Sequence, residues 1–209
     1  MDLLLIDYNL SEWRKEMSDR DIIEFFDSWA LVWDERMVID EDIVKTILDR
    51  AKVCAGKRIL DVACGTGVLI PYYLKRDVLD VTGIDISPKM IEIAQNKFQM
   101  EKVKFICDNA VDHEYDEKYD CIVIYNAFPH FEDPERLIGK MSLLLNEGGT
   151  LSVAHGMSRE RINAHHDNVT NVSRLLPDVR ELQKVFEKHL KVSDTISDER
   201  MYLITGVKE

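Results

Sequence analysis

The sequence predicts an α/β three-layer sandwich with a seven-stranded, mostly parallel sheet and an N-terminal helical cap. From residue 57 onward, short apolar runs alternate with amphipathic runs, which is typical of a parallel sheet with helices on both faces. Two apolar runs near the C-terminus follow each other with no helix between them, which predicts an antiparallel last strand. Residues 1–55 have a helical pattern and precede the first strand.

Each element is predicted from its own pattern. Strands are expected at 58–62, 79–84, 103–107, 119–125, 149–155, 191–197 and 200–207. Helices are expected at 67–76, 88–100, 133–146, about 158–171 and 178–190. We expect Asp19 and Asp40 to cap two helices of the N-terminal region, and Gly148-Gly149 to form the turn before the fifth strand. The cap (1–55) and the sheet region (56–209) are expected to form one domain.

Composition narrows the class of protein and of partner. With 209 residues, 45% of them hydrophobic, the chain is expected to form one globular domain. A net charge of −12 argues against nucleic acid as a partner, because binding a phosphate backbone normally needs Lys and Arg. The four cysteines show no C-x-x-C pair, and no apolar run is long enough for a signal peptide or a membrane span. We therefore expect a cytoplasmic protein with reduced cysteines.

A glycine-rich turn follows the first predicted strand. Strand 58–62 runs into Gly65-Thr66-Gly67, and glycine allows both the backbone torsions and the close approach of backbone amides to a ligand. Asp85 ends the second strand about 20 residues further on, where an adenosine ribose would present its two hydroxyls. These features predict a ligand that contains adenosine.

The glycine spacing distinguishes between two kinds of adenosine ligand. A dinucleotide fingerprint is G-x-G-x-x-G or G-x-G-x-x-A, whereas Ile70 occupies the third small position here. The runs ILDVACGTGVL and VTGIDISPKMIEIAQNKF instead resemble the class I S-adenosylmethionine-dependent methyltransferases, which have a Rossmann-like fold. The likeness is to the small-molecule branch that includes the ubiquinone/menaquinone-biosynthesis type (methyltransferase type 11-like), and it extends from about Asp34 to Leu151. Ala63 stands where that family usually has its first glycine.

The resemblance implies S-adenosylmethionine as the cofactor and a set of residues that bind it. Asp61 would meet the ammonium group, Asp85 the ribose hydroxyls and Asp108 the adenine amine. Tyr125 would lie near the sulfonium as a cation–π partner. Two alternatives stay open: Asp108 as a solvated loop acid and Tyr125 as a core aromatic residue. The whole predicted set is Asp61, Ala63, Gly65, Gly67, Asp85, Ile86, Asp108, Asn109, Ala110 and Tyr125.

Three residues are candidates for the acceptor side of the reaction. His155 and Arg159 come at the carboxyl end of the fifth predicted strand, where they could form a polar pocket for an anionic or proton-releasing acceptor. His130, after the fourth strand, is a second candidate base, because the pKa of histidine lies near neutrality. Each of these histidines has a structural or surface role as its alternative.

The sequence also contains candidate metal ligands and aromatic residues in the cap. The candidate metal ligands are His155, His165, His166 and Asp167. We expect no metal, because adjacent histidines diverge on a helix. The aromatic residues Tyr8, Trp29 and Trp33 of the cap either belong to the core or face an apolar or planar acceptor.

The sequence therefore predicts S-adenosylmethionine-dependent methyl transfer to a small molecule. A non-catalytic S-adenosylmethionine-binding regulator or sensing subunit is the alternative, and it predicts a closed or absent acceptor pocket. Methylation of a macromolecule would need a basic or broad open face, which the composition does not suggest.

Overall fold

The computed structural model describes residues 18–166 and 172–209. Its helices are α1 (Asp19–Trp29), α2 (Trp33–Arg36), α3 (Glu41–Arg50), α4 (Ile70–Leu74), α5 (Pro88–Lys97), α6 (Pro134–Leu143), α7 (Arg159–His166) and α8 (Val179–Phe186). Its strands are β1 (Arg58–Val62), β2 (Asp80–Asp85), β3 (Val103–Cys107), β4 (Tyr119–Tyr125), β5 (Leu145–His155), β6 (Lys191–Ser197) and β7 (Tyr202–Val207). Two 3₁₀ turns lie at Ala30–Val32 and Phe128–His130.

The strands form one seven-stranded sheet in the order β3-β2-β1-β4-β5-β7-β6. Neighbours from β3 to β5 pair in parallel, whereas β7 pairs antiparallel with both β5 and β6. The predicted mixed sheet with an antiparallel last strand is confirmed. The strand order reverses between β1 and β4, which is where ligands bind in open α/β sheets.

Both faces of the sheet are covered, because successive strand residues point to opposite sides. Leu60 and Val62 of β1 pack in a core that includes side chains of α6 and α8. Ile59 faces the other way, into a core that includes Val44 and Leu48 of α3. Since residues of α3 are fully buried, this part of the predicted cap belongs to the core itself. The boundary at residue 55 stays a prediction.

Several predicted element boundaries differ from the structure. Ser18, not Asp19, caps α1, since its side chain accepts a hydrogen bond from the amide of Asp21. The helix expected at 67–76 is confined to α4, because turns occupy residues 65–69 and Pro71 lies in its first turn. Asp40 caps α3 as predicted.

The fifth strand begins earlier than predicted. It starts at Leu145 rather than at 149, and α6 correspondingly ends at Leu143 rather than at 146. Gly148 and Gly149 lie within β5, and the pairing register with β4 shifts in this region. A bulge of this kind admits Gly148 at φ 73°, so the glycine pair marks an irregularity in the strand and not the turn before it.

No helix within the two described ranges combines the length and the apolar character needed to cross a membrane.

Candidate active site

A cavity of about 300 Å³ lies at the carboxyl ends of β1, β2 and β4. The predicted donor-binding residues that line it are Asp61, Ala63, Gly65, Asp85, Ile86, Asp108, Asn109, Ala110 and Tyr125. His130 lines it as well, whereas Gly67, His155 and Arg159 do not. The cavity therefore brings together ten of the thirteen predicted site residues, which are spread over 70 residues of sequence from Asp61 to His130.

Asp61 is a buried acid at the floor of this cavity. Only 2% of the residue is exposed, and its Oδ2 makes no hydrogen bond within the part of the chain that the structure describes. Burial raises the pKa of Asp61 to about 8; the Tyr73 hydroxyl, beside it but outside hydrogen-bonding geometry, opposes the rise, and the Asp85 carboxylate adds to it. A carboxylate oxygen buried in this way is stabilised by a cationic group that donates a hydrogen bond to it.

The turn after β1 has three residues at positive φ. Ala63 (φ 55°), Gly65 (φ 53°) and Gly67 (φ 82°) are all in the left-handed region, where an alanine is strained. A Cβ on Gly65 would meet only Trp33 Nε1, at 3.9 Å, so the open space beside Gly65 belongs to the cavity. A Cβ on Gly67 would instead lie 2.8 Å from the Phe98 ring. Gly67 thus permits packing against Phe98 and does not line the cavity.

Asp85 lies at the end of β2 and is fixed by two backbone amides. Its Oδ2 accepts from the amide of Gly65 at 2.8 Å and its Oδ1 from that of Ser87 at 2.9 Å. Burial raises the pKa of Asp85 to about 6, against the opposing effect of these amides. Ser87 in turn caps α5 by accepting from the amide of Met90. The carboxylate is therefore held in one orientation at the cavity wall.

The residues after β3 lie at the far end of the cavity. The Asp108 carboxylate is half exposed and contacts His113 Nδ1 at 2.8 Å, which lowers the pKa of Asp108. Asn109 is oriented by Asp19, since its side-chain amide donates to the Asp19 carboxylate at 3.0 Å. Ala110 is buried. The residues predicted to contact the adenine are thus linked to the cap, through Asn109 and Asp19, at the N-terminus of α1.

Tyr125 and Asn126 end β4 beside the fifth strand. Tyr125 lines the cavity and also packs among core residues, so its placement is compatible with both of its predicted roles. Asn126 has φ 54° and accepts a hydrogen bond from the amide of Gly156 at 2.9 Å. A Cβ on Gly156 would lie 2.6 Å from the Tyr125 hydroxyl. Glycine at this position therefore makes room for the Tyr125 ring.

His130 follows in the 3₁₀ turn after β4. Its Nδ1 lies 2.7 Å from the backbone carbonyl of Val172, and its ring meets the Phe26 ring edge to face at 4.9 Å. Because a carbonyl oxygen only accepts hydrogen bonds, Nδ1 carries the hydrogen in the neutral ring. Nε2 is then the nitrogen that takes up a proton.

The other two candidate catalytic residues lie away from the cavity. His155 is 2% exposed, and its ring packs against Tyr202 on the neighbouring strand β7, with centroids 6.0 Å apart. Arg159 donates from Nε to the carbonyl of Leu176 at 3.0 Å. His155 thus faces β7, and neither His155 nor Arg159 is among the residues that line the cavity. Their assignment to acceptor binding stays a prediction that their placement does not support.

Of the four residues considered as metal ligands, the structure describes the side chain of His155 alone. Among the described side chains of residues 18–166 and 172–209, no group of three or more His, Cys, Asp or Glu could hold a metal ion. Asp167 and the side chains of His165 and His166 lie outside what the structure describes.

The cap contributes Phe26, Trp33 and Met37 (the lid) to the lining of the cavity. Trp33 is one of the aromatic residues that the sequence offered as facing the acceptor. Tyr8, another of them, lies outside the described residues, and Trp29 packs under the Arg36 guanidinium rather than on the cavity. Phe26 lies in the same aromatic run of the sequence as Trp29 and Trp33, whereas Met37 had no motif that could have marked it.

Three aspartates fasten this cap to the donor side of the cavity. Asp34 accepts from the Thr66 hydroxyl and pairs with Lys97 at 2.7 Å. Asp27 accepts from the Ser87 hydroxyl at 2.6 Å, at the N-terminus of α5. Asp19 binds Asn109, as described above. These contacts join positions more than 30 residues apart, so no local pattern in the sequence predicts them.

The residues at the cavity fit S-adenosylmethionine. The buried Asp61 Oδ2 offers an acceptor to an ammonium group, the open space at Gly65 admits a ligand where a side chain would stand, and Asp85 presents a fixed carboxylate. An ammonium, a chain carrying it and a ribose diol are the groups that these three features recognise.

Comparisons with known proteins bear on the same region. Residues 59–149 match a family model described as a methyltransferase domain. A malonyl-[acyl-carrier protein] O-methyltransferase of Acetivibrio thermocellus is 32% identical over 140 residues, which are 65% of this chain and 50% of that protein. A ubiquinone biosynthesis O-methyltransferase of Coxiella burnetii is 31% identical over 99 residues, 46% of this chain and 42% of that protein. The chain spans about half the length of the curated relatives it matches.

Solved structures agree with the fold. The crystal structure of magnesium protoporphyrin IX methyltransferase from Synechocystis, with bound SAH, superposes with a TM-score of 0.70 at 15% sequence identity. The match covers 92% of this chain and 100% of that one.

Proposed function

We propose that this chain, whose residues 59–149 match a methyltransferase domain, is a class I S-adenosylmethionine-dependent methyltransferase that methylates a small molecule. The observation that carries the proposal is the cavity itself. It joins three donor-recognition features, at Asp61, Gly65 and Asp85, to a histidine, His130, and to an aromatic lid. A protein that only sensed the donor would need no proton-accepting group in the same cavity.

The donor half of the proposal assigns one group to each residue. Asp61 binds the ammonium group, the turn at Ala63 and Gly65 lies against the amino-acid portion of the donor, and Asp85 with Ile86 holds the ribose. Asp108, Asn109 and Ala110 surround the adenine, and Tyr125 lies near the sulfonium. When bound, S-adenosylmethionine supplies a methyl group that is electrophilic because it is attached to a sulfonium.

The acceptor half rests on His130 and the lid. His130 Nε2 takes the proton that an attacking hydroxyl, amine or thiol must lose, because Nδ1 is committed to the Val172 carbonyl. Phe26, Trp33 and Met37 exclude water from above, and in-line displacement then depends mainly on holding the acceptor in position. His155 and Arg159 have no part in this scheme.

The charges around the cavity favour an uncharged or cationic acceptor. Besides Asp61 and Asp85, five acidic residues line it: Asp19, Asp108, Asp112, Glu132 and Asp133. Arg136 is the lining arginine, and it is ion-paired with Asp112. An anionic acceptor would meet net repulsion at this entrance. Nucleic acid is disfavoured on the same ground.

Two further parts of the proposal concern the chain as a whole. We place the cap and the sheet region in one domain, which is supported by the burial of α3 residues in the sheet core. We also place the protein in the cytoplasm, which is supported by the exposed thiols of Cys54 and Cys107, a feature typical of reducing compartments.

Transfer of labelled methyl from S-adenosylmethionine to a panel of neutral, cationic and anionic small acceptors tests the proposal. We expect label in a neutral or cationic acceptor, and a loss of roughly 10²–10⁴-fold in rate for His130→Ala with binding of S-adenosylhomocysteine retained. Asp116→Asn, an exposed loop substitution, is the matched control and should leave transfer unchanged. Binding without transfer to any small molecule would instead support the regulator.

A further inference from the structure

The segment 172–176 lies between α7 and α8 in the sequence and is hydrogen-bonded to the turn that carries His130. The Val172 carbonyl accepts from His130 Nδ1 at 2.7 Å, and the amide of Arg174 donates to the carbonyl of Pro129 at 2.8 Å. The segment therefore contacts both His130 and the residue before it. A shift of this backbone would move the acceptor of the His130 hydrogen bond.

Asn163 of α7 holds the other end of the segment. Its Oδ1 accepts from the amide of Leu176 at 2.7 Å, and its Nδ2 donates to the carbonyl of the same residue at 3.2 Å. Arg159 Nε donates to that carbonyl as well, at 3.0 Å. Leu176 is fully buried, so its backbone groups must be satisfied inside the protein, and these two side chains do so.

The opposite side of His130 is closed by α1. The Phe26 ring stands edge to face on the imidazole, and Ile22 packs with the Val172 side chain in a small apolar cluster. The imidazole is thus held between an aromatic wall and a backbone carbonyl. Of these contacts, the carbonyl decides which ring nitrogen carries the hydrogen.

We propose that Asn163 is a positioning residue for His130, acting through Leu176 and the carbonyl of Val172. By anchoring the segment, Asn163 keeps His130 in the tautomer with hydrogen on Nδ1 and the proton-accepting lone pair on Nε2. The consequence for methyl transfer rests on the proposed function, whereas the state of the ring does not. Arg159 supports the same anchor, which gives α7 a role that does not require contact with the acceptor.

The ring nitrogens of His130 report the tautomer directly by ¹⁵N NMR of the labelled full chain, at about pH 9, where imidazole is neutral. We expect the wild type to show a protonated Nδ1 and an unprotonated Nε2. Asn163→Leu removes both contacts to Leu176 and should lose this pattern, giving a mixture of the two tautomers. Asn163→Asp keeps an oxygen that accepts from the Leu176 amide, and Arg159 still binds the carbonyl, so the pattern should be retained.

The controls separate positioning from general destabilisation. Asn146→Leu removes a side-chain contact to Asp120 at the other end of the sheet and should leave the His130 signals unchanged. Should Asn163→Leu fail to fold, the smaller substitution Asn163→Ala removes the same two contacts to Leu176 and should shift the same signals. S-adenosylhomocysteine binding should be unchanged in each variant, because neither Asn163 nor Asn146 lines the cavity.

Two results would overturn the inference. One is a wild-type His130 with its hydrogen on Nε2; the other is an unchanged ring pattern in both Asn163→Leu and Asn163→Ala. If the ring behaves as expected but the wild type transfers no methyl group, the proposed function fails and the positioning inference stands.

Discussion

Replacing Asp61 by Asn should make the protein more stable, and increasingly so as the pH rises. Asp61 is almost fully buried, and burial raises its pKa to about 8, compared with 3.8 for an unperturbed aspartate. Between these two values the folded protein holds a proton that the unfolded chain has released. The free energy of unfolding therefore falls with rising pH across this window, and the favourable contribution is lost as the pH passes through 8.

The size of this effect follows from the pKa difference. One pKa unit corresponds to about 1.36 kcal/mol, so at pH 7 the burial of Asp61 reduces the free energy of unfolding by up to about 4 kcal/mol. Asparagine has nearly the same shape and does not titrate. The stability difference between Asp61→Asn and wild type should thus grow by up to about 1.4 kcal/mol for each pH unit between pH 4 and pH 8.

Urea unfolding of the ligand-free protein at several pH values between about 4 and 8 measures this difference. Asp116→Asn, at an exposed position, serves as the control and should track the wild type. Asp61→Asn should at the same time weaken S-adenosylhomocysteine binding, because the anionic acceptor for the ammonium is gone. A stability difference that stays flat across the pH range would refute the reasoning that Asp61 is a strained, desolvated acid kept for a ligand.

Three other predictions concern the same site. Binding of S-adenosylhomocysteine at pH 7 should release a proton, because an ammonium beside Asp61 stabilises its charged form; calorimetry in buffers of different ionisation enthalpy detects this, and no buffer dependence would contradict it. Gly156→Ala should lower the free energy of unfolding by about 1–3 kcal/mol and weaken S-adenosylhomocysteine binding, because the added Cβ displaces the Tyr125 hydroxyl. Adding Tyr125→Phe to this variant should reverse much of the loss. A double variant no more stable than Gly156→Ala would contradict the steric explanation. Ala63→Gly should raise the free energy of unfolding by about 0.5–1 kcal/mol, since the left-handed backbone strain outweighs the added entropy of the unfolded chain, and urea unfolding showing a loss would count against it.

The residues that line the proposed donor side of the cavity could be found in the sequence because their signals are local. Asp61 and Asp85 each end a strand, and the carboxyl ends of parallel strands meet at one edge of the sheet. Gly65 lies in a turn whose glycines indicate positive φ, and Ala63 stands where the family that the sequence resembles usually has a glycine. Only Gly67 lies elsewhere than expected, because the contact that requires a glycine there is with Phe98 rather than with a ligand.

The acceptor side was harder to predict, for two physical reasons. A position at the end of a strand does not determine the side to which its side chain turns, and His155 turns toward Tyr202 of β7. Contacts between distant segments, such as Asn163 with Leu176, leave no periodic pattern in the sequence. The same limitation applies to the aspartates that fasten the cap.

A crystal structure of the protein with S-adenosylhomocysteine tests the central claim most directly. We expect the ligand's ammonium group within hydrogen-bonding distance of Asp61 Oδ2, both ribose hydroxyls on the Asp85 carboxylate, and the sulfur facing the part of the cavity that holds His130. A ligand bound outside this cavity, or one whose ribose lies away from Asp85, would contradict the account.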